Sequence, residues 1–565
     1  MSDTTRWYLD EATHRHDPIA LQLMWNRLIA VVEDQAQVLI RTAFSSIVRE
    51  CGDLSAGLFD LQGRMLVQAL TGTPGHVNTM AESAAHFIKA FPIESMKEGD
   101  AFICNDPWLG TGHTNDFVVA TPAFLRGRIV ALFLCTSHVV DVGGTNGPDA
   151  VDVFAEGLYI PMLKLIDQGT VNETLMAIIR SNTRLPIDTE GDTYALASCN
   201  EIGAKRLVEM MDEFEIDNLD ELGNHILVRS REAVLSEIAK LPRGSWGYSM
   251  MVDGYDAPLE LRVCLTVTDS GITVDYTGSA APVQRGINVP LAYTAAYTVF
   301  ALSCVVAGRI PNNAGTLSAF SVAAPPTTIL NARKPHAVKS RHVLGQMLPD
   351  LIFGCLRQSV PERVPAEGAS CMWNIAIMGT QKATDGDSRP FSLLMTTNGG
   401  TGARANRDGL SATAFPSGVQ GMPVEIAEAL SPLLFWRKEL RPDSGGAGTS
   451  RGGLGQIIEI ENGEQMPFTL VAAFDRLQYP PRGCDGGAPG LAGQIELSSG
   501  TAVAGKGMQV VGPGQRLLLR SPGGGGTGDP RERLPEQVAA DLANGLISVE
   551  SARSQYLFDV ANVVS

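Results

Sequence analysis

The sequence predicts a mixed α/β (α+β) chain built of several structural units, and three observations carry that reading. Hydrophobic periodicity changes along the chain: helical over about 166–242, strand-like from about 243, then glycine-punctuated and strand-rich after about 390. Near the N-terminal end, the continuous apolar run Arg128 to Cys135 reads as a buried strand. The length, 565 residues, exceeds what one core holds and, at roughly 100–200 residues per domain, predicts three or four units. The expected divisions are an N-terminal α/β metal-loop region (1–165), a helical region (166–242) and a mixed strand/helix region (243–390). A β-rich glycine-turn region (391–530) and C-terminal helices (531–565) complete them.

The elements follow in order. Asp17 caps a first helix, Pro18 suits its first position, and Leu21, Met24, Trp25, Leu28, Val31, Val32 and Leu39 line one face. Leu54–Phe59 and Arg64–Gln68, joined through Leu61-Gln62-Gly63, read as a hairpin. A second helix is expected from about Asn78, with Met80, Ala84, Phe87 and Phe91 on one side. Further helices carry Leu207, Met210, Met211 and Phe214, then Leu227, Val234, Leu235 and Ile238. After Pro242-Arg243-Gly244 the period becomes two: Leu261 to Val267 and Ile272 to Tyr276 alternate around the turn Asp269-Ser270-Gly271. The uncharged run Pro290 to Gly308 is diluted by Tyr293, Thr294, Tyr297, Thr298 and Ser303, so it reads as a buried helix and not a membrane span. Gln456 to Ile460 forms a short strand, and helices at Pro535–Asn544 and from Ser548 close the chain.

Composition narrows the function. The formal net charge of −17 disfavours nucleic acid and anionic membranes as partners. Nine scattered cysteines without a C-x-x-C read as buried free thiols of a reducing compartment, and Met1 to Arg6 carries no signal-peptide core. Together these predict a cytoplasmic location.

Chemistry concentrates in two copies of His-x-x-Asp. His113-Thr114-Asn115-Asp116 and His138-Val139-Val140-Asp141 both sit among glycines, on either side of the expected buried strand. Two imidazoles with carboxylates are what a divalent metal with mixed N/O ligands takes, and Mn, Zn, Fe, Co or Ni would each suit the set. The candidate ligands are Asp116, His138, Asp141 and His113. Arg49, Glu50, Asp53 and His76 are polar residues in apolar surroundings and candidates to line the same cleft. Gly523–Gly526 could cradle a phosphate, but no Lys-Ser/Thr follows it, so a structural turn is the favoured reading. Arg437, Arg441 and Arg451 could hold a phosphorylated group, against the commoner fate of solvated surface charge. His14, His16, His86, His225, His336 and His342 form no metal-ligand pattern.

The ordered set of stretches resembles one family. Asp17-Pro18-Ile19, Asn105-Asp106-Pro107 through Asp116, and His138 through Gly144 are joined by Glu156-Gly157-Leu158 and Pro311-Asn312-Asn313-Ala314-Gly315. Arg437 through Gly448 and Ser521 through Pro530 complete the set. The chain resembles the hydantoinase B / 5-oxoprolinase / acetone carboxylase alpha-type family, the B-type subunit of ATP-dependent hydantoinases. That resemblance implies a metal held by Asp116, His138 and Asp141, with His113 ranked after them. It also implies an A-type partner subunit with an actin/hexokinase-like fold that supplies ATP, hence a hetero-oligomer. Two departures stand out: Gly110-Thr111-Gly112 replaces the family's usual Gly-Gly-Thr before the first His, and Asn115 stands where Pro is usual. Ring opening of a hydantoin, 5-oxoproline or lactam is the leading expectation, ahead of ketone carboxylation of the acetone or acetophenone type. A non-catalytic scaffold subunit is the third. The sequence names no catalytic residue and no substrate.

Overall fold

Four β-sheets laced by helices make up the computed structural model, which describes residues 16–370, 372–382 and 387–559. The first sheet has the strand order β2-β1-β5-β4-β3-β6-β7 and is antiparallel throughout. Its strands are β1 (Leu54–Phe59), β2 (Met65–Gln68), β3 (Ala101–Cys104), β4 (Asp116–Leu125), β5 (Arg128–His138), β6 (Leu163–Asp167) and β7 (Thr170–Val171). Strand β5 lies between β1 and β4, and both its faces are covered. Ala131, Phe133 and Cys135 enter the main core, while Leu132 and Leu134 enter a second cluster with Met80, Ala84 and Phe87. Burial on both faces is why this strand reads as unbroken apolar sequence.

Helix Pro18–Thr42 begins where expected: the Asp17 carboxylate accepts from the Ile19 and Ala20 N–H groups at 2.8 and 2.9 Å. It packs with Pro186–Glu213 against one face of the sheet, and Pro74–Ala90 covers the other. That second helix starts four residues before Asn78, because Thr73 caps it and Pro74 fits its first turn.

The second sheet comprises β8 (Gly244–Val252), β9 (Leu259–Thr268), β10 (Gly271–Asp275) and β11 (Phe320–Ala323), in the order β11-β10-β9-β8. Strands β10 and β11 are parallel, and helix Leu291–Val306 lies in the connection between them. That helix is buried among neighbouring elements. Among the described residues no helix is long and apolar enough to cross a membrane.

The remaining strands form two interleaved sheets. One, ordered β13-β12-β16-β18, contains β12 (Trp373–Lys382), β13 (Ser388–Thr397), β16 (Phe468–Ala473) and β18 (Lys506–Val511). The other, ordered β14-β15-β19-β17, contains β14 (Leu433–Leu440), β15 (Gln456–Asn462), β17 (Gln494–Leu497) and β19 (Leu517–Arg520). Strand β13 runs through the expected junction at 390 and ties both sides of it into one sheet.

Beside these sheets, the segments 398–402, 444–455, 482–490 and 522–528 bundle together without forming strands. Their backbones bond sideways: Gly446 N–H to Gly524 O, Gly524 N–H to Gly453 O, and Gly453 N–H to Thr401 O, at 2.8 to 2.9 Å. A Cβ at Gly452, Gly453, Gly523 or Gly524 would run into a neighbouring carbonyl oxygen. Gly523–Gly526 is therefore a packing element, as the collagen axis is, and the backbone of a phosphate cradle is already spent on its neighbours. Arg441 and Arg451 are buried, contrary to the surface expectation. Arg441 donates to the carbonyls of Ala492 and Ser521, and Arg451 to Asp541 and Gly452 O. Of the three arginines only Arg437 is a surface residue, paired with Glu439.

Cysteines divide as well. Cys51, Cys104, Cys135, Cys199 and Cys355 are buried free thiols, but Cys264 and Cys304 are exposed. Cys371 and His14 lie outside the described residues.

Candidate metal centre

One residue of each His-x-x-Asp copy lies at a strand end, with His113 in the turn before β4 and Asp141 beyond the end of β5. Asp116 is the first residue of β4, His138 the last of β5, and the two are register partners in the antiparallel ladder. Residue pairing across a ladder brings side chains on one face to within about 5 Å. His113 reaches the same point from the turn just before β4. His113, Asp116 and His138 each offer one ligand atom, all within 4.8 Å of one another.

The turn is held open for this. The Asn105 side chain donates to Thr114 O and Leu158 O and accepts from Ile160 N–H, at 2.6 to 2.9 Å. Gly112 adopts φ +97°, and a Cβ there would stand 2.7 Å from the Arg341 side chain, so glycine is required. The altered Gly110-Thr111-Gly112 stretch thus makes room for a buried arginine.

Asp116 is the hub. It is fully buried and accepts from Thr111 Oγ1 at 2.6 Å and from the Arg341 guanidinium at 2.6 Å. His76 Nε2 lies 3.0 Å from it, His113 Nε2 2.6 Å and His138 Nδ1 3.3 Å. Burial alone would push this carboxyl up. His113, His76 and Arg341 overcome that and hold it well below the ordinary carboxylate range. His113 moves down, to about 3, through burial and the Arg341 charge. Burial also acts on His76, but Asp116 and Asp53 outweigh it and raise that imidazole.

The donor set fits a cation. His113 Nδ1 lies 2.9 Å from Lys339 O, and a carbonyl only accepts, so the proton of this neutral ring sits on Nδ1. Its Nε2 lone pair then faces an Asp116 oxygen at 2.6 Å, two acceptors toward one point. A divalent ion would satisfy both groups, and the ring's Nδ1–H bond to a backbone carbonyl is the usual outer support of a ligating histidine.

Asp141 does not join the group. Its carboxylate accepts from the Arg184 backbone N–H at 2.5 Å and from the Arg184 guanidinium at 2.7 Å. The carboxylate of the second His-x-x-Asp copy is therefore occupied by an arginine 43 positions on, while His113, ranked after it from the sequence, stands with Asp116 and His138. Asp53 and His76 line the same polar pocket, as the sequence suggested, whereas Arg49 is exposed and Glu50 faces elsewhere.

Residues missed by sequence reasoning complete the centre. Arg341 stacks on Tyr293 with 4.1 Å between guanidinium and ring centre while it neutralises Asp116. His342 is buried against the pocket, and burial together with Arg341 pushes it well below its ordinary value. Lys339 donates to Glu156 O at 2.6 Å and Gly143 O at 3.3 Å; burial lowers it, against the pull of Glu156. Glu156 in turn accepts from the Val338 and Lys339 N–H groups. The run Lys339-Ser340-Arg341-His342, set between apolar residues, was the available signal.

Beyond the donor group opens a cavity of about 290 Å³ between the metal end of the first sheet and the β12–β13–β16 face. His113, His138, Asn115 and His342 form its polar side.

With that geometry in place, the sequence match decides the family: the hydantoinase B/oxoprolinase profile covers residues 17–530. The chain belongs to the hydantoinase B/oxoprolinase family. It is similar to the B subunit assigned to a D-/L-hydantoinase of Pseudomonas sp. (strain NS671), at 29% identity over 96% of this chain and 95% of that one. It is also similar to the caprolactamase beta subunit of Pseudomonas jessenii, at 28% identity over 96% of each chain. A crystal structure of ATP-dependent caprolactamase from that organism superposes with a TM-score of 0.88 at 26% identity, covering 97% of both chains. The nucleotide-free structure of acetone carboxylase shares the fold, with a TM-score of 0.84 at 19% identity over 96% of this chain and 79% of that one.

Proposed function

We propose that the chain is the metal-holding B-type subunit of an ATP-dependent cyclic amidohydrolase, working with an A-type subunit that binds ATP. The observation that carries this is the His113/Asp116/His138 group at the edge of a substrate-sized cavity. His113 and His138 line the cavity while Asp116 is buried behind them, so the cavity side of the group leaves coordination room, which a scaffold's closed ligand set would not. Full-length similarity to the caprolactamase beta subunit supports hydrolysis. The acetone carboxylase likeness, at 19% identity, speaks to the fold alone.

A divalent cation held by His113, Asp116 and His138 would supply Lewis-acid activation of a water for attack. The chain's own residues do the rest. The Lys339 carbonyl fixes the His113 ring and tautomer. Arg341 and His76 hold the Asp116 carboxylate in place and balance its charge. The β12–β13–β16 face lines the far side of the cavity. Amide resonance makes the ring a poor electrophile; phosphorylation of the amide oxygen by the ATP-binding partner removes that resonance. Water adds to the ring carbon, the C–N bond breaks with the nitrogen leaving as the amine, and a second water hydrolyses the resulting acyl phosphate to carboxylate and phosphate.

Reconstitution tests the reading. The chain, its A-type partner and ATP are offered hydantoin, 5-oxoproline and lactams, in parallel with ketones plus labelled bicarbonate. Ring opening that needs both subunits and ATP is expected. Label fixed into a ketone, with no ring opened, would overturn the proposal in favour of a carboxylase.

A further inference from the structure

A second cleft, of about 740 Å³, shares no lining residue with the cavity at the metal centre. Two helices wall both sites with different faces. On Leu291–Val306, Tyr293 and Tyr297 line the polar pocket around the donor group, while Ala292, Ala295 and Val299 line the second cleft. On Pro74–Ala90, His76 belongs to the first, and Asn78 and Glu82 to the second. Leu317, with Phe320 and Val322 from alternate positions of β11, makes an opposing apolar wall. A largely apolar cleft of this size with a few polar groups is the usual form of a small-molecule site.

Most polar groups of the cleft are occupied. Arg64 is paired with Asp60 at 2.5 Å and donates to Gln62. Asn78 donates to Ala296 O and accepts from Asn312, and Asn331 donates to Ala324 O. The Trp108 indole N–H donates to Ala332 O. Glu82 and Arg333 differ: both line the cleft, and among the described residues neither side chain has a hydrogen bond or an ion pair. They do not pair with each other, so the two charges stand apart. Glu82 is reached by solvent yet hemmed in by the helices, and that burial raises its carboxyl. An anion in such surroundings is costly until a counter-charge arrives. Arg333 is exposed and stands at the rim.

We propose that this cleft binds an elongated zwitterion, an ω-amino acid whose ammonium meets Glu82, whose carboxylate meets Arg333 and whose methylenes lie along Ala292, Ala295 and Val299. An amine or a carboxylate of the same length satisfies one charge and leaves the other unanswered. Opening an unsubstituted lactam yields such a molecule, and the cleft takes it whether or not the metal centre is hydrolytic.

Calorimetry on the full chain at about pH 8 compares 6-aminohexanoate, hexylammonium and hexanoate. The zwitterion should bind most tightly. Glu82→Gln, which keeps the shape and removes the charge, should weaken 6-aminohexanoate and hexylammonium by at least about tenfold and leave hexanoate unchanged. Arg333→Gln, at the rim, should weaken 6-aminohexanoate and hexanoate by about two- to fivefold. Ala295→Trp fills the cleft and should abolish binding, whereas His138→Ala, in the metal centre, should bind as wild type does. Absence of saturable binding, equal affinity for the three compounds, or binding unchanged in both Glu82→Gln and Ala295→Trp would overturn the proposal. So would loss of binding in His138→Ala with Glu82→Gln unaffected, which would put the ligand at the metal centre.

Discussion

Two glycine-rich regions of this molecule do opposite things. Around the donor group, Gly112 takes positive φ, and the turn it makes delivers His113 and Asp116 before and at the start of β4, where Asp116 pairs with His138 at the end of β5. In the bundle formed by 398–402, 444–455, 482–490 and 522–528, glycines remove side chains so that backbones can touch and bond. Glycine is denser in the bundle, 18 of the 33 residues of those segments, yet it is the first region that gathers histidines around a carboxylate. Glycine marks a functional site when it positions titratable groups, and marks packing when its missing Cβ is filled by a neighbour's carbonyl.

Substitutions should separate the two. Gly524→Val places branched carbon against Thr401 O in the middle of the bundle and should give the largest loss, beyond about 4 kcal/mol, seen as insoluble or unfolded chain by chemical denaturation. A folded variant of near wild-type stability would show that the bundle is not close-packed. Next in size, Asp116→Asn keeps the shape but leaves Arg341, 3% exposed, without its counter-charge. In the metal-free protein it should cost about 3–4 kcal/mol by denaturant titration. A stability unchanged by the substitution would mean that Arg341 finds another partner.

The smallest effect concerns the anchor of the last helices. Burial pushes the Asp408 carboxyl up, but Arg533 more than reverses this and leaves it below the ordinary value. A carboxylate lowered in the folded state stabilises above its unfolded pKa, about 3.9, and loses that contribution as pH falls through the folded value. Amide protection in Pro535–Ala543 and Val549–Gln555, corrected for the intrinsic pH dependence of exchange, should therefore be unchanged from pH 7 to about 5 and fall below about pH 4 relative to the first sheet. A uniform fall across both regions would contradict a local clamp.

Much of the fold is legible locally. Asp17-Pro18 marks a helix start to the residue, the β1–β2 hairpin follows its turn signal, and β5 follows from its apolar run. Strand β4 is hidden because its first residue reads as a candidate ligand and glycine turns precede it. Three of the four candidate ligands converge, since pairing across one ladder is a short-range event. Asp141 is misleading in sequence because its arginine partner belongs to a loop between two helices. Arg341 is invisible for a similar reason: a buried arginine makes sense only beside a carboxylate 225 positions away. The far wall of the cavity, contributed by β12, β13 and β16, is more distant still, and strand periodicity cannot say which sheet faces which.

Which atoms hold the cation defines the centre, and elemental analysis of purified wild-type chain, His138→Ala and Asp141→Asn decides it. Wild type and Asp141→Asn should each retain about one equivalent of a divalent metal, and His138→Ala should lose most of it. Undiminished metal in His138→Ala, or its loss from Asp141→Asn with His138 intact, would contradict the centre described here.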